Sequence, residues 1–389
     1  MATWDACRRY VVARALLLFL LLTCFVNFPP AAWSQTTKRV VLQGFWWDYW
    51  NNNYPFAWAN YLTDLAPRLR ELGIDAVWIP PSVKNEGGPT AVGYAPFDHY
   101  DLGDKFQKGD VRTRLGTKDE LLRMAAVMHA NGIEVVQDIV FNHIIGANVR
   151  DPLAQDDQYK IFRYTSFATP QTVGDSVDYI GRRGRFPKNW INFHPNPWRG
   201  FGGNPGSSLN DVTSAFFGPD ICFDPRAYGQ SSLPTGNPLV YNPPQSLNYM
   251  RNELRRWFIW HTKQIGIDGY RFDAVKHFEP HVVHDVVWHV ASSSGDITQG
   301  VNGSPALGWD ILSIGEWVGG KTELDEWAGA PPAPESVLEG GLSSTGRNLG
   351  GVDNRAGTFD FGLRGFSTDG LVGMVYGFGA FDMSTIPSL

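Results

Sequence analysis

Short apolar runs rich in β-branched residues recur along the chain from residue 39 onward, and longer stretches with helical spacing separate them. Apolar side chains that recur every three to four residues predict helices over residues 58–72, 118–131 and 246–265. The short runs predict strands, which we place at residues 40–43, 76–79, 134–139, 269–272, 311–314 and 358–361. Strands that alternate with helices in this way are typical of βα units around a parallel sheet, so the sequence predicts an α/β fold.

The interval 144–244 breaks this pattern. It is rich in Gly, Pro, Asn and aromatic residues and has no long periodic element. Because irregular connections of this length are uncommon inside a compact domain, we interpret it as an inserted subdomain. Residues 35–143 and 245–389 then form the first and second parts of the main α/β domain.

The first 34 residues have the pattern of a signal peptide. Three arginines precede an apolar run at 15–26, and the segment ends in the small-residue site Ala32-Trp33-Ser34. The run is too short for a typical membrane span, although a retained membrane anchor is the alternative interpretation. The sequence therefore predicts a secreted, extracellular protein with no stable membrane association once residues 1–34 are removed.

Cysteine usage adds one constraint. Cys7 and Cys24 lie in the predicted leader, which leaves Cys222 alone in the mature chain. A single cysteine excludes an intramolecular disulfide, so rigidity must come from the core or from a metal ion. Cys222 could be a catalytic nucleophile, but no Cys-His motif accompanies it, and lone cysteines are usually buried.

Charge and composition narrow the class of partner. The net charge is -6, and no stripe of Lys and Arg is present. Because phosphate binding needs clustered cations, we expect no nucleic-acid partner. The 15 tryptophans could pack in a core or line a sugar site, and composition alone leaves both open.

Polar residues follow several predicted strands at their carboxyl ends. They are Asp138, Asn142, His143, Arg271, Asp273 and Glu316. In a parallel barrel these strand ends converge on one face, where active sites are built. A set of structural ion pairs is the alternative explanation, since such pairs also place charges at buried positions.

Three of these segments resemble the first three sequence signatures of the α-amylase family of glycoside hydrolases, family 13. They read DIVFNH at 138–143, GYRFDAVKH at 269–277 and GEW at 315–317. Their order and their positions on successive strands also match. The resemblance implies a (β/α)8 TIM barrel, with the irregular subdomain inserted after the third strand and an α-glucan as the substrate.

The chemistry of this family needs two carboxyl groups, a nucleophile and a general acid/base. The resemblance implies that Asp273 is the nucleophile and Glu316 the acid/base. Arg271 lies two residues before Asp273 and should share its face of the strand, where charge pairing would keep the nucleophile ionised. Glu316 has no cation beside it in its signature, which favours a protonated acid.

The resemblance also implies substrate-binding residues, among which we count Arg271. Tyr94, in the segment GYAPFD at 93–98, and His143 match residues that bind the sugar at the cleavage point. Lys276 and His277 match residues that line the leaving-group side. Considered without its neighbours, His143 could equally be a hydrogen-bonded core histidine.

A calcium ion, Ca2+, is the implied cofactor. Asn142 matches a family calcium ligand that ties the third strand to the insert, and Asp211 and Asp220 resemble calcium carboxylates of plant and archaeal α-amylases. Carboxylate, amide and carbonyl oxygens are the ligands that this ion prefers. Asp residues in solvated turns are the alternative for Asp211 and Asp220.

The resemblance covers residues 40–361, and the family continues beyond it to a block that carries a third catalytic Asp. We therefore expect a barrel that is incomplete at its C-terminal end. The functional hypothesis is endo-acting, retaining hydrolysis of α-1,4-glucosidic bonds. The alternatives are a non-catalytic starch-binding homologue, an inactive fragment, or another family 13 hydrolase with a different linkage preference.

Overall fold

The computed structural model describes residues 39–144, 186, 221, 249–278, 280–291, 311–332 and 350–359. Contacts divide the chain into residues 1–40 and a compact unit, residues 41–389, and only Arg39 and Val40 of the first unit are described. The predicted signal peptide and the interior of the predicted subdomain, including Asp211, Asp220 and Cys222, lie outside the described residues. The following paragraphs concern the second unit.

The described part of the chain contains a six-stranded parallel sheet and a small two-stranded antiparallel sheet. The six strands occur in the sheet in chain order, each paired with the next. They are β1 (Val41–Gln43), β2 (Ala76–Ile79), β5 (Glu134–Ile139), β6 (Gly269–Phe272), β7 (Leu312–Gly315) and β8 (Gly357–Thr358). The small sheet pairs β3 (Lys84–Asn85) with β4 (Pro96–Asp98) in the connection after β2.

Helices occupy several of the connections between the parallel strands. They are α1 (Trp58–Glu71), α2 (Lys118–Ala130), α3 (Tyr249–Ile265), α4 (Pro280–Ala291) and α5 (Lys321–Gly329). Parallel strands joined in chain order by helices are the architecture of a (β/α)8 barrel. The fold predicted from the sequence is therefore confirmed, with six of its strands in the described residues. No helix among these residues has both the length and the apolar character needed to cross a membrane.

Most predicted elements match the structure closely. The strands at 76–79, 134–139 and 269–272 have the predicted bounds, and the next strand is displaced by one residue, to Leu312–Gly315. The strand predicted at 358–361 is observed at Gly357–Thr358, and its last two predicted residues are not described. Short runs of β-branched and aromatic residues predict these strands well because a parallel strand is buried on both faces.

The core is built from the apolar side chains of the central strands. Val135, Tyr270 and Phe272 are fully buried between the sheet and the helices that pack against it. The Phe258 ring of α3 stacks on Phe272, with the centroids 6.0 Å apart, and Phe141 lies 5.8 Å from Phe272. This aromatic cluster lies under the carboxyl ends of β5 and β6 and supports the residues that follow them.

Helix α2 begins as its sequence predicts. Thr117 accepts a hydrogen bond from the Glu120 backbone N–H, and the Glu120 carboxylate accepts one from the Thr117 backbone N–H at 2.8 Å. This reciprocal capping box satisfies two backbone donors at the start of the helix. Arg112 also contacts the Glu120 carboxylate at 2.8 Å, so the cap ties the preceding loop to α2.

Candidate active site

One buried guanidinium, that of Arg271 on β6, joins three carboxylates at the carboxyl ends of the strands. Its Nη1 lies 2.8 Å from Asp138 Oδ1 and 2.8 Å from Asp273 Oδ1. Its Nη2 lies 2.6 Å from Glu316 Oε2. The structure therefore brings together the residues that the sequence predicts as nucleophile, acid/base and charge partner.

Strand register accounts for this convergence. Asp138 of β5 is the direct partner of Arg271 in the parallel pairing of β5 with β6. Asp273 continues the ladder, because its N–H donates to the Ile139 carbonyl at 2.8 Å, and the Glu316 N–H donates to the Phe272 carbonyl at 2.8 Å. Since Arg271 and Asp273 are two residues apart on extended backbone, their side chains share one face.

The protonation of Asp273 follows from its surroundings. Burial raises the pKa of Asp273 to about 7, the Arg271 guanidinium opposes that rise, and the Asp138 and Glu316 carboxylates add to it. Burial likewise raises the pKa of Asp138, against the effect of Arg271. Burial alone would lower the pKa of Arg271, but the three carboxylates raise it above its usual value.

Two expectations about charge are corrected here. The contact of Arg271 with Asp273 is as predicted, but one cation shared by three carboxylates does not keep the pKa of Asp273 low. The signature of Glu316 contains no cation, but in the structure Arg271 Nη2 contacts its carboxylate, so the absence of a cation does not explain a protonated acid. The sequence signature shows only neighbours along the chain, and this cation comes from the adjacent strand.

Two aromatic side chains hold Asp138 from the other side. The Tyr94 hydroxyl donates to Asp138 Oδ2 at 2.7 Å, and the Trp78 indole N–H donates to the same oxygen at 3.1 Å. Burial raises the pKa of Tyr94, and the Asp138 charge raises it further, so the hydroxyl remains a donor. The Arg271 guanidinium also lies 5.2 Å from the Trp78 ring centroid, within cation–π range. Tyr94 was predicted at this site, whereas Trp78 was not.

His143 and Asn142 lie directly behind Tyr94 at the end of β5. His143 is fully buried, and its Nε2 lies 2.9 Å from the Tyr94 carbonyl oxygen. The Asn142 amide nitrogen lies 3.4 Å from His143 Nδ1, and the Asn142 carbonyl accepts a hydrogen bond from the Ile221 N–H at 2.7 Å. His143 therefore contacts the segment that carries Tyr94, and its predicted contact with sugar stays a prediction.

Lys276 and His277 lie in a short 3-10 helix, Val275–His277, that follows Asp273. The Lys276 ammonium donates to the Val318 carbonyl and to Glu323, both at 3.1 Å. The pKa of His277 is lowered to about 4, mainly by burial and also by the charges of Lys276 and His143, so this imidazole is neutral at pH 7. Both residues thus lie on the loop next to Asp273, as predicted.

Backbone strain marks the junction between Asp273 and this turn. Ala274 has a φ of 51°, in the left-handed region that residues with a side chain adopt uncommonly. Such conformations persist where the surrounding structure enforces them, and they are concentrated at functional sites. Here the left-handed conformation of Ala274 changes the direction of the chain between β6 and the loop that carries Lys276.

Trp47 is a feature of this site that the sequence analysis did not identify. It follows β1, is 56% exposed, and stacks on Tyr94 with a centroid distance of 5.4 Å and an interplanar angle of 14°. The signal that could have found it is the rule already used for Asp273 and Glu316, because Trp47 also lies just beyond the carboxyl end of a parallel strand.

The predicted metal ligands are only partly described. Among the residues that the structure describes, no group of three or more His, Cys, Asp or Glu side chains could hold a metal ion. Asp211 and Asp220 lie outside those residues. Ile221, which directly follows Asp220 in the sequence, is described, and its hydrogen bond to the Asn142 carbonyl places it beside the third predicted ligand.

Comparison with known proteins identifies a family to which this sequence is similar. Residues 62–291, more than half of the chain, match the family model described as "Alpha amylase, catalytic domain". The matched region includes Tyr94, Asp138, Arg271 and Asp273, and Glu316 follows it.

Curated relatives agree with the family match. The chain is 31% identical over 295 residues to the glucan 1,4-α-maltohexaosidase of Bacillus sp. strain 707, covering 72% of this chain and 54% of the relative. It is 30% identical over 302 residues to the α-amylase of Bacillus licheniformis, again covering 72% and 54%. The chain thus spans about half the length of the curated relatives it matches. Among solved structures, it is similar to the Geobacillus thermoleovorans α-amylase complexed with acarbose, with a TM-score of 0.39, 18% identity, and coverage of 70% of this chain and 44% of that one.

Proposed function

Because the chain belongs to the α-amylase family of glycoside hydrolases, we propose that it hydrolyses internal α-1,4-glucosidic bonds of starch or glycogen with retention of anomeric configuration. The observation that carries this proposal is the Arg271 guanidinium, which contacts the carboxylates of both Asp273 and Glu316. Holding two carboxyl groups on one guanidinium is compatible with the separation of about 5 to 5.5 Å that retaining glycosidases use.

The two carboxyl groups have different roles in this proposal. Asp273 attacks the anomeric carbon, while Glu316 donates a proton to the departing glucosidic oxygen, and the result is a covalent glycosyl-enzyme. Glu316 then removes a proton from a water molecule, which attacks the same carbon and releases Asp273. The buried position of Asp273 and the greater exposure of Glu316, whose side chain is 32% exposed, suit a nucleophile and a proton shuttle.

Substrate contacts are assigned on either side of this pair. Tyr94 and the exposed face of Trp47 offer aromatic surface to the sugar at the cleavage point, with His143 behind them. Lys276 and His277 lie on the loop beside Glu316, which protonates the leaving oxygen, so we assign them to the leaving-group side. Arg271 acts through the carboxylates that it contacts.

The pH dependence of turnover tests the role of Asp273. Attack needs the ionised carboxylate, and the pKa of Asp273 is raised to about 7, so kcat/KM should fall about tenfold per pH unit as the pH drops below about 7. Asp138→Asn removes a negative neighbour that raises this pKa, so the acidic limb should move to lower pH even though the maximal rate falls. Asp325→Asn, which changes an exposed side chain on α5, is the control and should leave the limb in place. A limb that does not move in Asp138→Asn would contradict this electrostatic account.

We also propose that the chain binds calcium between the end of β5 and the inserted subdomain. Asn142 is buried there, and its backbone carbonyl accepts a hydrogen bond from the N–H of Ile221, which follows the predicted ligand Asp220 in the sequence. Amide, carboxylate and carbonyl oxygens from Asn142, Asp211 and Asp220 form a donor set that suits this ion. When bound, calcium would supply a cross-link between the two segments.

Removal of calcium should therefore destabilise the protein. Binding to the native state alone stabilises it by about 4 kcal/mol at a thousandfold excess over Kd, so a chelator should lower the melting temperature by several degrees. Asp220→Ala should reduce this response, whereas Asp325→Ala should respond like the wild type. Calorimetry with and without chelator makes the measurement, and an unchanged melting curve in the wild type would refute the proposal.

Secretion is proposed on the N-terminal pattern alone, with cleavage after Ser34. N-terminal sequencing of protein from the culture medium would test it, and protein retained in the cell with residues 1–34 intact would exclude it.

A further inference from the structure

Glu323, in the first turn of α5, accepts two hydrogen bonds from groups beside the catalytic pair. Its Oε2 atom lies 3.1 Å from the Lys276 ammonium and 3.0 Å from the Trp317 indole nitrogen. Lys276 belongs to the loop that follows β6 and Asp273, and Trp317 directly follows Glu316 at the end of β7. One carboxylate oxygen thus joins the two loops that carry the two catalytic carboxyl groups.

Further contacts join the same two loops. The Val275 N–H donates to the Glu316 carbonyl at 3.2 Å, and Lys276 donates to the Val318 carbonyl at 3.1 Å. The Lys276 ammonium also lies 5.6 Å from the centroid of the Trp317 ring. The Lys276 ammonium is thus held by two groups, the Val318 carbonyl and the Glu323 carboxylate. Loss of the Glu323 carboxylate would therefore leave Lys276 less firmly positioned.

The local backbone is shaped for this contact. A Cβ atom on Gly319 would lie 2.5 Å from Glu323 Oε2 and 2.8 Å from the Trp317 indole nitrogen, closer than real Cβ contacts occur. A larger residue at this position would displace the carboxylate or the indole from their contact. An acidic residue in the first turn of a helix is also favoured by the helix dipole.

We propose that Glu323 is a positioning residue for the leaving-group side of the site, where it fixes Trp317 and Lys276 against the departing part of the glucan. This rests on the proposed function, in which Glu316 protonates the leaving oxygen. Residues adjoining Glu316 are then next to the glucosyl units beyond the cleaved bond. In this role Glu323 acts through Lys276 and Trp317.

The test compares two kinds of leaving group. In Glu323→Ala, kcat/KM should fall about 10- to 100-fold for maltooligosaccharides whose leaving group is a glucosyl chain, largely through a higher KM. It should change by less than about threefold for an activated aryl maltoside, which lacks those glucosyl units. Glu323→Gln keeps a carbonyl oxygen that can accept both hydrogen bonds and should recover most of the loss. Asp325→Ala, on the same helix with an exposed side chain, is the matched control.

A double-mutant cycle with Lys276→Met identifies the route of the effect. If Glu323 acts through Lys276, adding Lys276→Met to Glu323→Ala should cost much less than Lys276→Met alone in the wild type. Equal losses on both substrates, or strictly additive losses for the pair, would overturn the proposal, since a general structural defect lowers both rates alike.

Hydrogen exchange gives a readout that does not depend on turnover. Backbone amides between residues 316 and 320 should exchange faster in Glu323→Ala than in the wild type or in Asp325→Ala. If the wild type cleaves neither substrate, the proposed function fails, and the exchange measurement still decides whether Glu323 positions this loop. Unchanged exchange in Glu323→Ala would overturn the positioning role by itself.

Discussion

Asp273→Asn should lower the turnover of soluble starch by roughly 10⁴- to 10⁶-fold, since losses up to about that size follow removal of a catalytic nucleophile in other enzymes. Asparagine cannot form the covalent glycosyl-enzyme, so an activated leaving group should not restore the rate. Glu316→Gln should also lower starch turnover, by about 10²- to 10⁴-fold, because the leaving oxygen then departs without a proton. An activated aryl glycoside needs little protonation and should recover much of the rate in Glu316→Gln only.

The folded state of Asp273→Asn is the necessary control for this comparison. The raised pKa of Asp273 means that the native state binds more protons than the unfolded state between about pH 4 and 7. The carboxyl group therefore makes the wild type less stable as the pH rises through that range. Asp273→Asn removes this effect, so its unfolding free energy relative to the wild type should rise with pH. If Glu316→Gln loses activity equally on both substrates, the assignment of Glu316 as acid is wrong.

The sequence predicts the parallel strands well and some other elements poorly. Strands β2, β5 and β6 are short runs rich in β-branched or aromatic residues and almost wholly buried, as expected when both faces of a parallel sheet are covered, so their bounds can be read directly. Helix α4 was not predicted, and its sequence contains five valines in twelve residues, a composition that favours strands. Packing of α4 against α3 overrides that preference. The short strands β3 and β4 carry too few residues to show any period.

In the site, too, most of the residues could be predicted from the sequence, but several of their contacts could not. Asp138, Arg271, Asp273 and Glu316 were found because each lies at the carboxyl end of a strand or just after it, and parallel register then brings them together. The sharing of one guanidinium by three carboxylates could not be read from the sequence, since the contacts cross between strands. Glu323 was missed because its contact with Lys276 joins residues 47 positions apart along the chain.

Arg271 has the largest expected effect on stability. It is buried and contacts Asp138, Asp273 and Glu316, and two of these carboxylates are buried as well. Removing one partner of a buried ion pair typically costs about 3 to 5 kcal/mol, because the remaining charge loses its compensation. Arg271→Met should therefore lower the unfolding free energy by about that amount at pH 8, and activity should be lost with it. Urea denaturation monitored by circular dichroism would measure the change.

The direction of the pH dependence separates this account from a loss of packing. Without the cation, the pKa values of Asp138 and Asp273 rise further, so the native state binds protons up to a higher pH and the variant should be least stable in alkaline solution. Lowering the pH toward 5 neutralises these carboxyl groups and should recover part of the deficit. Arg271→Met combined with Asp138→Asn removes a buried charge together with its partner, and should be more stable at pH 8 than Arg271→Met alone.

Arg271→Lys keeps the charge, but one ammonium cannot reproduce the planar fork that contacts three carboxylates. The stability of Arg271→Lys should therefore lie between that of the wild type and that of Arg271→Met. If the deficit of Arg271→Met were the same at pH 5 and pH 8 and Asp138→Asn gave no recovery, the guanidinium would stabilise the site through its packing on Trp78 and not through its charge.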